Sequence, residues 1–193
     1  MTTDAHILEV KKFGNPVLRN DSTEVTKITL EHHQLVKDMI DTMYDEKGIG
    51  LAAPQIGQNI RMFVIDTNFD KEAVYETAGE IALSPKMPFA IFNPKITKTY
   101  GDDFAYEEGC LSVPEINADV IRPERIQLQG MTLDGETFDL ECGGLLARCA
   151  QHEIDHLDGV LFVDRINPND QKRISSKLKK LQQKTEKKLR KKR

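Results

Sequence analysis

The sequence predicts one domain of mixed helix and strand, and three observations carry the prediction. Apolar residues recur at helical spacing in two well-separated segments, and the stretch between them is dominated by short β-type runs. A chain of 193 residues also holds one hydrophobic core more readily than two. In the first helical segment, Thr29 to Glu46, Leu30, Leu35, Met39, Ile40 and Met43 fall between polar residues, and Lys47-Gly48 supplies the stop. Arg61 to Asp66, Phe89 to Ile96, Arg125 to Leu133 and Thr137 to Cys142 read as strands, the last two joined at an Asp134-Gly135 hairpin signal. Asn68 to Pro88 has the mixed polarity of an excursion or loop. Leu145 to Leu157 is the second clear helix, introduced by Gly143-Gly144 and closed by Asp158-Gly159. After Asn167-Pro168 a last helix carries Ile174, Leu178, Leu181 and Leu189 as a thin apolar stripe, and its lysine-rich end reads as prone to fraying. No internal repeat is visible.

Charge is distributed unevenly. The formal net charge of -4 combines a basic tail, Gln171 to Arg193, with 12 Lys or Arg against the single acid Glu186, and a body of 15 bases against 30 acids. That is +11 joined to -15, so the two parts should prefer different partners. No stretch approaches the roughly 20 apolar residues of a membrane span, and Met1 to Glu9 has the pattern of neither a signal nor a transit peptide. The three cysteines, Cys110, Cys142 and Cys149, lack disulfide-framework spacing. A cytoplasmic protein without a membrane role is the expectation, with thiols free for metal.

The strongest local motif is His152-Glu153-Ile154-Asp155-His156. Four residues on a helix advance about 400°, so both imidazoles lie on one face and can share a metal ion. Glu153 projects beside them as a candidate acid and base. Two ligands are fewer than the three that a catalytic metal usually takes from protein. Cys110, in Glu108-Gly109-Cys110-Leu111-Ser112, is the best candidate for the third: glycine beside it permits close backbone approach, and a thiolate suits a borderline or soft metal. Cys142 and Cys149 read as buried apolar groups, although Cys149, three residues before His152, is also placed to be a wall of the site or a rival ligand.

Upstream, Gly48-Ile49-Gly50-Leu51-Ala52-Ala53-Pro54-Gln55-Ile56-Gly57 begins like the loose dinucleotide pattern GxGxxA. That pattern belongs between a strand and a helix, whereas here a helix precedes it and Pro54 breaks any helix after it, so nucleotide binding is rejected. It reads as a tight turn with exposed backbone groups that presents the Gln55 amide as a neutral donor.

Taken together and in this order, the segments Gly48 to Gly57, Glu108 to Ser112 and Gln151 to His156 resemble the three signature motifs of the peptide deformylase family. The resemblance covers about Phe13 to Arg165. It implies an α+β fold in which β-sheets surround a central metal-binding HExxH helix, followed by a basic C-terminal helix. A catalytic unit of residues 1–170 and a tail of 171–193 are implied with it. It further implies removal of the formyl group from the N-terminal methionine of nascent polypeptides, with one divalent ion held by Cys110, His152 and His156. Fe2+ is the implied native metal, with Zn2+, Ni2+ or Co2+ as possible occupants.

On the same resemblance, Glu153 moves protons for a metal-activated water, while Gln55 and the Leu111 backbone N–H stabilise the oxyanion. The substrate backbone lies along Ile49 and Gly50 and along the region after Gly109. Glu108, Tyr106, Leu145, Arg148 and Cys149 are placed near the methionine pocket. Arg148 stands where an aliphatic residue is common in the family, and is expected to line the pocket with its stem and direct its charge to solvent. Asn117 stands where an arginine often contacts the peptide. The basic tail is expected to tether the enzyme to the ribosome through phosphate contacts, with no dedicated DNA binding. Three rivals remain: an HExxH peptidase, which leaves Cys110 and both upstream motifs unexplained; a catalytically silent ribosome-binding protein, against which Glu153 and Gln55 argue; and an enzyme of the same fold and chemistry that takes a different acyl group or a different residue after it.

Overall fold

The computed structural model describes residues 6–68 and 74–191. They form four α-helices and one five-stranded antiparallel sheet whose strands lie in sequence order. The first helix, α1 (Leu30–Asp45), buries Val36, Met39 and Met43, the face its periodicity defines. Its stop differs in one detail from expectation. The left-handed residue is Lys47, at φ 59°, and not Gly48. Lys47 N–H donates to the Tyr44 carbonyl at 3.0 Å and Gly48 N–H to that of Met43 at 2.8 Å, which satisfies the orphan carbonyls of the last turn. Glycine at 48 serves close packing instead: a Cβ there would lie 2.8 Å from the Leu111 side chain.

Strands β1 (Gly50–Ala52) and β2 (Met62–Ile65) are buried at every position, because the sheet is covered on both faces here. Ala52, Phe63 and Ile65 pack with Ile91 into a core shared with the third helix. Leu51, Met62 and Val64 pack the other way, with Met39 and Met43 of α1. Each such large apolar side chain contributes about 1.5–3 kcal/mol on burial. The glycine-rich segment is therefore no exposed turn. It is an inner strand followed by a short 3-10 helix, Ala53–Ile56.

Two long strands, β3 (Phe89–Cys110) and β4 (Val113–Met131), far exceed the segments Phe89 to Ile96 and Arg125 to Leu133 legible in the sequence. They pair as a ribbon through Thr99↔Ile126, Phe104↔Arg122 and Glu108↔Ala118, interrupted by four register shifts. Those shifts, together with the exposed residues of the outer ribbon, break the period-two pattern by which strands are read. The ribbon ends in a tight turn at Leu111-Ser112, and this turn presents Cys110. Strand β5 (Thr137–Cys142) completes the sheet after the expected hairpin, with Gly135 at φ 83°.

The Asn68 to Pro88 excursion contains a short helix, α2 (Ala78–Leu83); its residues 69–73 lie outside the described set. It docks on β5 and on the start of the third helix, α3 (Gly144–Leu157). Gly143, the residue before α3, has no side chain with which to cap it. Its N–H donates instead to Thr77 Oγ1 at 3.1 Å, and Glu80 closes a reciprocal cap with Thr77. The last helix, α4 (Pro168–Lys191), buries Ile174 and packs Leu178 and Leu181 on a core that includes Val113, Val120 and Phe162. Position 171 thus falls inside its first turn. The helix runs through Lys191, and residues 192–193 lie outside the described set.

Candidate metal centre and substrate cavity

Helix α3 places His152 and His156 one turn apart, with ring centroids separated by 5.0 Å. The end of β3 brings Cys110 Sγ to 3.2 Å from His156 Nε2. One ligand atom from each of the three residues falls within 4.8 Å of the others. Among the described residues this is the group that could hold a metal, and a thiol with two imidazoles suits a borderline or soft divalent ion. Neither Cys142 nor Cys149 belongs to it; both are buried, and burial pushes both thiols up, Cys142 to about 12.

A buried ionic network fixes the donors. Glu108, 6% exposed, accepts from His152 Nδ1 at 2.9 Å, which leaves Nε2 of that ring for a metal. The same carboxylate takes two hydrogen bonds from Arg122, at 2.7 and 2.9 Å, and one from Arg148 at 3.2 Å. Burial alone would raise its pKa, but the hydrogen bonds from His152 and Arg122 reverse the sign and hold it at about 2. Arg122 also reaches Asp155 on α3 at 2.7 Å, and Arg165 grips the same carboxylate. β3, β4 and α3 are thereby tied together behind the site.

Gln55 is 1% exposed and oriented at both ends of its amide. Its Oε1 accepts from Ala52 N–H at 2.8 Å; its Nε2 lies 3.2 Å from Ser112 Oγ and 3.5 Å from Cys110 Sγ. Glu153 is buried, its Oε2 has no partner, and burial pushes its carboxyl up to about 7. Gly50 is required beside it, because a Cβ there would collide with Glu153 Oε1 and come within 2.8 Å of Cys149 Sγ.

These groups open onto a cavity of about 450 Å³. Ile49, Gly50, Gln55, Tyr106, Glu108, Gly109, Cys110, Leu111, Leu145, Arg148, Cys149, His152 and Glu153 all line it; His156 lies behind, 1% exposed. Arg148 corrects the sequence reading. Its guanidinium is buried rather than solvated, donating to Glu108 and to the Val120 and Phe104 carbonyls at 3.0 Å each, and lying 4.4 Å from the Phe104 ring centroid. Desolvating a charge is costly unless it is paired, and here a carboxylate, two carbonyls and an aromatic face supply the pairing. Asn117 does not line the cavity; its Oδ1 packs where a Cβ on Gly109 would lie, 2.6 Å away.

Sequence reasoning missed Glu46, Lys47, Pro114 and Glu115 at the cavity wall, and Arg122, Asp155 and Ser112 behind the donors. Asp155 was within reach, being the polar residue inside the HExxH repeat. Arg122 was not, because only the long pairing of β3 with β4 brings it under Glu108.

Three clustered donors beside a buried carboxylate with one unpartnered oxygen, at the wall of an open cavity, are the equipment of a metal-dependent hydrolase. Comparison with known proteins narrows the class. The family model described as polypeptide deformylase matches residues 7–172. A peptide deformylase of Prochlorococcus marinus (strain MIT 9312) is 45% identical over 164 residues, 84% of this chain and 75% of that protein. The crystal structure of a Thermotoga maritima peptide deformylase superposes with a TM-score of 0.73 at 39% identity, covering 84% of this chain and 99% of that one. A Synechococcus elongatus peptide deformylase, solved in complex with actinonin, gives 0.77 at 39% identity over 90% and 89%. The chain belongs to the peptide deformylase family, and is thereby a metal-dependent hydrolase of protein biosynthesis with an α+β fold. Among the described residues no helix is long and apolar enough to cross a membrane.

Proposed function

We propose that the enzyme hydrolyses the formyl amide of formyl-methionyl nascent chains, using one divalent ion ligated by Cys110, His152 and His156. The observation that carries this reading is the group of three donors within 4.8 Å beside the partnerless Glu153 Oε2. Fe2+ is taken as the native ion on the family resemblance, and the donor set accommodates Zn2+, Ni2+ or Co2+ as well. When bound, the ion polarises the formyl carbonyl and lowers the pKa of a water toward 7. Glu153 accepts the proton of the attacking water at its free oxygen, then delivers a proton to the departing amine. Gln55 Nε2 and the Leu111 N–H donate to the oxygen of the tetrahedral intermediate. His152 and Gln55 are already oriented for these tasks, by Glu108 and by the Ala52 N–H.

The substrate enters as an extended strand along Ile49 and Gly50 on one side and Gly109 on the other, a main-chain mode that reads little sequence. Leu145, Tyr106, Cys149 and the neutralised Arg148 form the methionine pocket. The catalytic unit spans residues 1–170, and the basic face of the last helix tethers it to ribosomal RNA in the cytoplasm. Formate release from formyl-Met-Ala-Ser tests the reading, using Fe2+-loaded anaerobic protein beside Glu153→Ala and the unformylated peptide. Formate from the wild type alone is expected. Cleavage of the unformylated peptide would favour a peptidase instead, and silence of a fully loaded site would remove formyl-methionine as the substrate.

A further inference from the structure

The segment Lys11 to Phe13 carries no sequence motif, yet it holds both loops to which the oxyanion donors are assigned. Lys11 N–H donates to the Gln55 carbonyl at 2.6 Å, and Phe13 N–H to that of Ser112 at 2.8 Å. Between them Lys12 Nζ donates to the Leu111 carbonyl at 2.9 Å, with Glu46 Oε2 3.4 Å away as its other partner. That carbonyl belongs to the same peptide group as the Ser112 N–H, which points at Cys110 Sγ from 3.4 Å. An ammonium on the carbonyl end of an amide draws electron density toward the oxygen and makes the N–H at the other end a better donor. A line of polarisation therefore runs from Lys12 through one peptide unit to the sulfur.

From this we infer that Lys12 is a positioning residue. It orients and polarises the Leu111–Ser112 peptide, so that the Cys110 sulfur keeps its hydrogen bond and the turn bearing the Leu111 N–H holds its place. The inference rests on the proposed metal site and oxyanion donors. Lys12 does not line the cavity, its side chain is 32% exposed and its ion pair with Glu46 lies at the surface, so replacing it leaves the core intact.

The test compares Lys12→Met, Lys12→Arg and wild type in Co2+-loaded form, reading the sulfur-to-metal charge-transfer band together with kcat and KM on formyl-Met-Ala-Ser. For Lys12→Met the expected result is a shifted band and a kcat lowered roughly 5- to 20-fold. This is well short of the about 100- to 1,000-fold expected for deleting an oxyanion donor. KM, metal stoichiometry and thermal midpoint should stay near wild type, and Lys12→Arg should restore band and kcat. An active wild type with an unchanged band and kcat in Lys12→Met overturns the inference. So does a loss that tracks only a lowered thermal midpoint. A wild type inactive on formyl peptides whose band still responds to Lys12→Met overturns the proposed reaction while supporting the role of Lys12.

Discussion

Arg122→Met removes the centre of the buried ionic network while keeping most of the stem's packing. The arginine is 3% exposed and gives two hydrogen bonds to Glu108 and one to Asp155. Deleting one partner of a buried pair leaves an uncompensated charge and costs about 3–5 kcal/mol. Glu108 keeps His152 and Arg148, and Asp155 keeps Arg165, so the lower end of that range, about 3 kcal/mol, is expected. With a urea m-value of about 1–3 kcal/mol/M, the midpoint of the metal-free protein should fall by at least about 1 M. Urea unfolding followed by circular dichroism in EDTA reads this directly. A loss below about 1 kcal/mol for the single variant would falsify the assignment of the network as the tie between the β3–β4 ribbon and α3.

Three further outcomes are expected. Gln55→Leu should retain one metal per chain yet lose about 100- to 1,000-fold in kcat; metal analysis and steady-state kinetics check it, and full activity would remove Gln55 from the chemistry. Gly79→Ala should cost about 1–3 kcal/mol through overpacking, since a Cβ there would clash with Cys142 Sγ and lie 2.7 Å from the Glu141 carbonyl; an unchanged melting temperature would show that α2 is not firmly seated. Truncation after Gln183 strips Lys184, Lys187, Lys188, Arg190, Lys191, Lys192 and Arg193 but spares Ile174, Leu178 and Leu181. It should leave hydrolysis of a short formyl peptide intact and weaken a salt-sensitive co-sedimentation with ribosomes, whereas undiminished co-sedimentation would dismiss the tether.

How much of this was legible in the sequence depended on the range of the interaction. Helices α1 and α3 were readable because their apolar stripes are local, and the same holds for the imidazole pair, which needs only one helical turn. Cys110 was nameable as the best third donor from its chemistry and its glycine neighbour. The full lengths of β3 and β4 were not readable, because bulges and exposure erase alternation in the outer ribbon. Arg148 shows the opposite failure. A long cation on a helix is read as snorkelling to water, and only the tertiary approach of Glu108, Val120 and Phe104 makes burial tolerable. Lys12 and Arg122 act through partners 99 and 14 residues away, distances over which spacing carries no signal.

The borrowed cap on α3 bears on the order in which the protein folds. A helix that begins Gly143-Gly144 has a poor nucleus of its own, since glycine loses the most backbone freedom and brings no capping oxygen. Thr77, 66 residues upstream, supplies that oxygen, and Cys110 lies 46 residues from its imidazole partner. An isolated peptide spanning 143–158 should therefore be mostly unstructured in water. The two imidazoles are then expected to settle only once the excursion and the ribbon have docked, and pulsed hydrogen exchange that protected the α3 amides before those of β3 and β4 would overturn that expectation.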